Sequence, residues 1–295
     1  MSCLEIYSSL ELLTATVYES RDFFGQPVRA FELGLKEYPP VVLIGDFYGC
    51  TRASEVIADT LLKYIGDTHV VAVPCVFPSI SQGLLFFSRL LLGRETSSVD
   101  EFLRDLGDFK PVFEGQGTRV LELGNLVLVA THSVQELEHI KRLQLGEDRV
   151  IVALFHDGST MLVKAPEEAL LRPLRSLLID QMALDPLLVV HMSCWSDELI
   201  CFALSERWYA SVSELLEIAV SQVNSDVLCD PSVPGYYSPR RGVILTSAVF
   251  SEQLFPGVPA IEIRVGTKNY LEASKSLSAI LSSVYLLRGV LDSSS

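Results

Sequence analysis

At 295 residues, 49% of them apolar, the chain is long enough to bury a full α/β core and too apolar for extensive disorder. A formal charge of −14 with no basic stripe excludes nucleic acid and anionic membrane surfaces as partners, and the acidity is read as serving solubility. The uncharged run Val70 to Ser88 could span a bilayer by length, but Pro74, Pro78, Ser79, Ser81, Gln82 and Gly83 break it into strand, loop and helix start.

The first residues, Met1-Ser-Cys-Leu-Glu, show neither a basic n-region nor an apolar h-region, so a cytoplasmic location is expected. The six cysteines, at 3, 50, 75, 194, 201 and 229, include no Cys-x-x-Cys pair and read as reduced, mostly buried thiols rather than a disulfide frame. Seven Lys against sixteen Arg, with three Asn, lean towards a thermophile, while the modest total charge leans the other way.

Residues 5–38 read as an N-terminal β-hairpin: Thr14 to Glu19 alternates, Gly25-Gln26-Pro27 turns, and Val28 to Leu33 alternates back. After Pro39-Pro40, Val41–Ile44 is a buried parallel strand, Ala53 to Ile65 a helix with Val56, Ile57, Leu61, Leu62 and Ile65 on one face, and His69–Val73 the next strand. That β–α–β order implies a parallel sheet with right-handed crossovers. Short helices follow over Gly83–Leu92 and Ser98–Leu106, the second opened by a Ser98/Glu101 capping box.

Residues 111–166 change character. Arg119–Glu122, Leu126–Ala130 and Arg149–Leu154 are β-rich, Gly124-Asn125 and Asp157-Gly158 look like hairpin turns, and a helix is expected over 134–143. The stretch reads as a β-rich insert on a core made of residues 1–110 and 167–295. A helix over 166–180 carries Pro166 at its start, and Leu187–Val190 is a short strand ending in His191. Ser211–Val223 is helical, 227–241 a proline-punctuated loop, Gly242–Thr246 and Ala260–Val265 strands, and Tyr270–Leu291 an apolar-striped helix.

Two stretches carry a resemblance. Val41-Val42-Leu43-Ile44-Gly45-Asp46-Phe47-Tyr48-Gly49 and Gly257-Val258-Pro259-Ala260-Ile261-Glu262-Ile263-Arg264-Val265-Gly266 each run an apolar strand into a glycine, the form that delivers residues to a ligand crevice in α/β sheets. Together they resemble the first and last active-site strands of zinc carboxypeptidases and their succinylglutamate desuccinylase/aspartoacylase relatives, over roughly residues 28–110 and 185–290. The resemblance implies an α/β fold of three layers, with a mixed, mainly parallel central sheet flanked by helices.

It also implies a site that has lost its chemistry. Gly45-Asp46-Phe47-Tyr48-Gly49-Cys50-Thr51 lies over the family's Gly-x-x-His-Gly-x-Glu, so Tyr48 and Thr51 stand at two zinc-ligand positions. Phe77-Pro78 matches an Asn-Pro turn without its amide, and Asp105-Leu106-Gly107-Asp108 lies over Asp-Leu-Asn-Arg with an acid where the carboxylate-gripping Arg belongs. Val189-Val190-His191 matches Asp-Leu-His, leaving His191 as a metal-ligand candidate; Val129-Ala130-Thr131-His132 competes for the same match. Pro259 to Gly266 overlays Pro-Ala-Ile-Thr-Ile-Glu-Leu-Gly, placing Arg264 at the general base, which a permanently protonated guanidinium cannot be. Glu262, on the same strand face roughly 7 Å away, is the candidate displaced base. The expected arrangement is instead an ion pair of Glu262 with Arg264, or of Arg264 with Asp46, filling the former pocket.

His132, Glu136 and His139 share helical spacing and could hold a metal, although Ser133-Val-Gln-Glu136 is equally a capping box. Cys194 and Cys201 flank Trp195 and Asp197 with no His spaced to support a thiol nucleophile. The expectation is a catalytically inactive desuccinylase-like protein without a cofactor, serving a protein partner by binding or scaffolding. The alternatives are a zinc-dependent amide hydrolase with a relocated site, using His191, His132 or His156 with Glu262, and a small-anion binder using Arg264.

Overall fold

Four short apolar runs, buried on both faces, form the centre of the fold: β3 (Val41–Ile44), β4 (Val70–Val73), β10 (Leu188–Cys194) and β12 (Ala260–Val265). The structure, a computed structural model, describes residues 1–14, 16–63, 66–107, 114–115, 118–132, 148–194, 200–204, 209–223, 253–266 and 268–284. β4, β3, β10 and β12 are parallel neighbours in that order. Antiparallel edges complete a mixed sheet of seven strands: β1 (Val17–Arg21) and β2 (Pro27–Leu33) on one side and β11 (Cys201–Leu204) on the other.

Side chains alternate across this sheet with period 2, so the runs feed two separate cores. Val41, Leu43, Val70, Ala72, Leu188, Val190, Ile261 and Ile263 face one cluster. That cluster is covered by α1 (Cys3–Glu11), α2 (Thr51–Lys63), α7 (Tyr209–Val220) and α8 (Tyr270–Ser283). Val42, Ile44, Val71, Val73, Val189 and Ala260 face the other, with α3 (Pro78–Ser81), α4 (Leu84–Leu92), α5 (Val99–Asp105) and α6 (Glu167–Leu174). The molecule is thus a three-layer α/β structure.

The β-rich stretch forms a second sheet of five strands: β5 (Glu114–Gly115), β6 (Thr118–Leu123), β7 (Leu126–Thr131), β8 (Val150–Phe155) and β9 (Thr160–Lys164). Its pairs are antiparallel except β7 with β8. One face, with Leu121, Leu126, Leu128, Ala130, Val152, Leu154 and Leu162, lies in the same core as the second face of the main sheet. Backbone bonds tie the two: Leu162 N–H donates to the Tyr48 carbonyl at 3.1 Å and Leu84 N–H to the Gly158 carbonyl at 2.8 Å.

Several expectations need correction. The N-terminal hairpin is β1–β2, but residues before it form helix α1, not strand. The Ser2 hydroxyl accepts from Glu5 N–H while the Glu5 carboxylate accepts from Ser2 N–H, a capping box, and Ile6, Tyr7 and Leu10 are buried at helical spacing. The helix expected over 166–180 is α-helical only to Leu174 and continues as a π-helix over Arg175–Gln181, with Pro173 in its path. At α5, Ser98 caps Glu101 N–H, but the Glu101 carboxylate takes Ser97 N–H instead of completing the box. Strand β10 runs past His191 to Cys194, and β11 was not foreseen.

The reduced-thiol reading is contradicted. Cys3 is disulfide-bonded to Cys75, and Cys50 to Cys194, each with Cα atoms 6.1 Å apart. Partners 72 and 144 residues apart share no motif, and only the packing of α1 on the sheet and of the β3–α2 loop on β10 brings them together. The helix expected over 134–143 (with Glu136 and His139), Trp195, Asp197, Asp108, Cys229, the loop 227–241, the strand Gly242–Thr246 and the last part of the C-terminal helix lie outside the described residues. Among the described residues, no helix is long and apolar enough to cross a membrane.

Candidate functional site

The β3–α2 loop is shaped by two glycines. A Cβ on Gly45 would sit 1.8 Å from the Pro74 carbonyl oxygen, so only glycine lets β3 leave the sheet so close to the end of β4. Gly49 has φ +94°, and a Cβ there would meet Ile80 at 2.4 Å. Between them, Asp46 organises the loop: Oδ1 accepts from Tyr48 N–H at 2.6 Å and from Cys50 N–H at 3.1 Å, and Oδ2 accepts from Cys194 N–H at 3.0 Å. The loop is thereby fastened to the carboxyl end of β10 twice, by Asp46 and by the Cys50–Cys194 disulfide.

Register places the rest of the cluster. His191 stands beside Ile44 of β3 and Glu262 of β12, and Ser193 beside Arg264. Period 2 puts His191, Ser193, Glu262 and Arg264 on the face opposite Val190, Ile261 and Ile263. The Ser193 hydroxyl donates to Glu262 Oε1 at 2.6 Å, Arg264 Nε donates to the same oxygen at 3.1 Å, and a second guanidinium nitrogen reaches Oε2 at 3.4 Å. The expected ion pair is therefore the Glu262–Arg264 one, since the Asp46 oxygens already accept three backbone amides.

This cluster is closed. Asp46, His191, Glu262 and Arg264 are 3%, 2%, 3% and 6% exposed, and Tyr48 is half-buried above them. Burial drives the Asp46 pKa up to about 6 against its three amide donors, with the Glu262 charge adding to the rise. Burial likewise favours protonated Glu262, but Arg264, His191 and Ser193 outweigh it and hold that carboxyl below its ordinary value. Burial pushes Tyr48 well above a normal phenol, helped by Asp46 and Glu262. His191 packs on Phe47 with ring centroids 5.1 Å apart. Neither of its ring nitrogens has a hydrogen-bond partner among the described residues, although the Gly45 backbone lies near.

Of the residues singled out in the sequence, Asp46, Tyr48, His191, Glu262 and Arg264 come together as electrostatic neighbours. Thr51 opens α2 and is half-buried, and no hydrogen bond or ion pair ties it to the cluster. His132 and His156 stack on each other in the second sheet, centroids 3.7 Å apart and 5° from parallel, while Asp105 pairs with Arg94. Phe47, Ser193 and the Cys50–Cys194 bond were missed. Ser193 could have been found by counting two residues on from His191, had β10 been extended through its polar end.

Zinc does not fit this arrangement. Tyr48 and Thr51 stand where the resemblance puts two of the ligands, the Asp46 and Glu262 oxygens are committed to donors, and Arg264 places a positive charge beside His191. Among the described residues no three His, Cys, Asp or Glu side chains converge as a metal site.

His191 has a testable signature. Burial first, then Arg264, holds its pKa down to about 4, opposed by Glu262 and the Gly45 backbone. An unfolded His takes up its proton near 6.5, so the stability it contributes is full above about 6.5 and lost as pH falls through about 4, roughly 3 kcal/mol in all. Asp46 runs oppositely: its raised pKa gives stability that is full below about 4 and lost as pH rises through about 6. Replacing His191→Phe should therefore leave the Asp46 trend exposed. In urea melts, the variant's stability relative to wild type should grow by up to about 3 kcal/mol between pH 7 and pH 4. A difference that stays constant with pH would mean His191 is not buried neutral.

No protein-family model matches the chain, and no curated protein matches it by sequence. Solved structures do. A protein assigned as a carboxypeptidase A from Shewanella denitrificans superposes over 97% of this chain and 68% of its own, with a TM-score of 0.50 and 8% identity. The murein-tripeptide amidase MpaA of Escherichia coli O157 covers 95% of both chains at TM-score 0.43 and 18% identity. A succinylglutamate desuccinylase/aspartoacylase family protein from Shewanella amazonensis aligns over 91% of this chain and 72% of its own at TM-score 0.35 and 14% identity. The strand order, the layers and the superposition on the carboxypeptidase agree, and the chain has the zinc-carboxypeptidase-like α/β fold.

Proposed function

We propose that this protein is a non-hydrolytic member of the carboxypeptidase-like fold that acts by binding, with a protein as its partner. The observation that carries the reading is the Glu262–Arg264–Ser193 network. A permanently charged guanidinium stands where the resemblance puts the general base, and it is bonded to Glu262, which is thereby held ionised, hydrogen-bonded and buried. The small-anion alternative gains nothing, because Arg264 is buried and already faces a carboxylate. Of the histidines the relocated-hydrolase alternative would use, His132 and His156 stack on each other just beyond β7 and β8, and His191, although beside Glu262, is buried next to Arg264 with Glu262 already bonded to that guanidinium. The second sheet remains our choice for the partner-facing surface, since such additions to a frame commonly carry recognition.

The location follows the disulfides more than the N-terminus. Disulfides persist in oxidising compartments or in intracellular proteins of hyperthermophiles. The excess of Arg over Lys and the three Asn lean towards the second case, which would keep the protein cytoplasmic, and the modest total charge leans towards the first.

Metal content tests the reading. Purified protein dialysed against zinc is expected to carry well under one equivalent by elemental analysis, to show no thermal shift on adding zinc, and to leave N-acyl amino acids and peptide C-termini intact. Zinc near one equivalent that is lost on His191→Ala, together with hydrolysis, would overturn it.

A further inference from the structure

At the β1 edge of the main sheet, β1 and the helical segment 167–181 border a surface cleft of about 310 Å³, lined by Glu19, Ser20, Arg21, Arg172 and Ser176. That size lies at the lower end of small-ligand pockets. Strands β2 and β4 stand between β1 and β3, so the cleft is separate from the closed cluster. Arg172, in the last turn of α6, and Ser176, one turn on in the π-helix, are neighbours on one wall. β1 is the other wall. Thr16 and Asp22 bond to β2 through their backbones, and the antiparallel alternation therefore turns the amides of Glu19 and Arg21 to the free edge. There Gln181 Nε2 donates to the Glu19 carbonyl at 3.0 Å and to Ser176 Oγ at 3.4 Å, joining the two walls.

This lining is rich in donors and poor in acceptors. Arg172 makes no ion pair among the described residues, although Glu168 precedes it by one turn. Arg21 gives Nη1 to the Gly25 carbonyl at 2.8 Å and likewise pairs with no acid among the described residues. Glu19, the one acid in the lining, accepts at Oε2 from Arg29 Nε at 3.0 Å. The hydroxyl protons of Ser20 and Ser176 meet no acceptor among the described residues. In a chain where 37 Asp and Glu outnumber 23 Lys and Arg, two guanidiniums that no acid neutralises share one cleft. Their mutual repulsion is relieved by an anion of two charges, and each planar fork matches two phosphoryl oxygens at once. We propose that this cleft binds a tetrahedral phosphate dianion, as the free ion or as the end of a small phosphate monoester. Arg21 and Arg172 neutralise its charge, while the two serine hydroxyls and the outward amides of Glu19 and Arg21 supply further donors. The site stands whether or not the second sheet receives a protein partner.

Calorimetric titration of the full chain tests the site, with inorganic phosphate, phenyl phosphate and acetate as probes. The titrations are run at low salt, which screens exposed charges least, and at about pH 8, where a phosphoryl group carries close to two charges. Inorganic phosphate should bind saturably, and acetate about tenfold more weakly. Arg172→Gln and Arg21→Gln should each weaken phosphate about tenfold. Arg175→Gln removes the same charge from the same helical segment but outside the cleft, and should change the affinity by less than about twofold. All three arginines are exposed, so circular dichroism and urea midpoints of these variants should match wild type. Ser176→Asp, which sets a carboxylate among the donors, should abolish binding. Phenyl phosphate bound more tightly than inorganic phosphate would identify esters as the occupant, and equal or weaker binding the free ion; either order supports the site. No saturable phosphate binding, acetate bound as tightly as phosphate, or a loss in Arg175→Gln equal to that in Arg172→Gln would each overturn the proposal.

Discussion

Deleting residues 111–166 and joining the ends with a short Gly/Ser linker is expected to abolish cooperative unfolding. Closing such a gap costs little entropy by itself, so a stretch that shared no core with the rest would be removable. The shared core argues for the opposite result. Leu121, Leu126, Leu128, Ala130, Val152, Leu154 and Leu162 pack in one cluster with Val42, Ile44, Val71, Val73 and Val189 of the main sheet. Burial of Leu- and Val-sized side chains stabilises by about 1.5–3 kcal/mol each, and stripping both sides of such a contact exceeds the 5–15 kcal/mol by which folded domains are typically stable. The deletion also removes the bonds from Leu162 to Tyr48 and from Leu84 to Gly158 that brace the β3–α2 loop and the start of α4. Urea denaturation followed by circular dichroism and by fluorescence reads the result. Coincident sigmoidal transitions in the deleted protein would show that the main sheet folds without its second layer.

The second large effect is expected at Arg264. Arg264→Met should cost about 3–5 kcal/mol at pH 7, because it leaves Glu262 charged and buried with Ser193 as its closest remaining donor. The double variant Glu262→Leu/Arg264→Met should recover most of that loss, since a buried pair is often no more stabilising than apolar residues of similar volume. Both follow from urea melts. A single variant within about 0.5 kcal/mol of wild type would be the behaviour of a solvated surface pair and would mean that the cluster is open.

Much of the frame was legible because its strands obey local rules. Val41–Ile44 and Ala260–Val265 were read with the bounds they have, the first as an uninterrupted apolar run and the second as an apolar run broken only by Glu262 and Arg264, each ending in glycine. Tyr48 and Arg264 at positions unsuited to zinc and to a base were likewise visible, since residue identity alone rules out those roles. The weaker readings failed where local patterns compete. α1 was missed because a nine-residue helix opening on a capping box offers little periodicity beside the alternating hairpin that follows. β10 was stopped at His191 because Ser193 and Cys194 resemble a strand end, although their neighbours on β12 continue the ladder.

By itself the sequence determined the α/β class, the parallel core strands, the turn glycines and the absence of the expected ligand and base side chains, all of which depend on residues within a few positions of one another. Tertiary structure decided what those residues meet. It chose Glu262 rather than Asp46 as the ion-pair partner of Arg264, committed Asp46 to backbone amides, joined cysteines 72 and 144 residues apart, and laid the second sheet against the first. Each of these is a contact between segments distant in sequence. Its energy depends on a separation and a burial that no local pattern encodes.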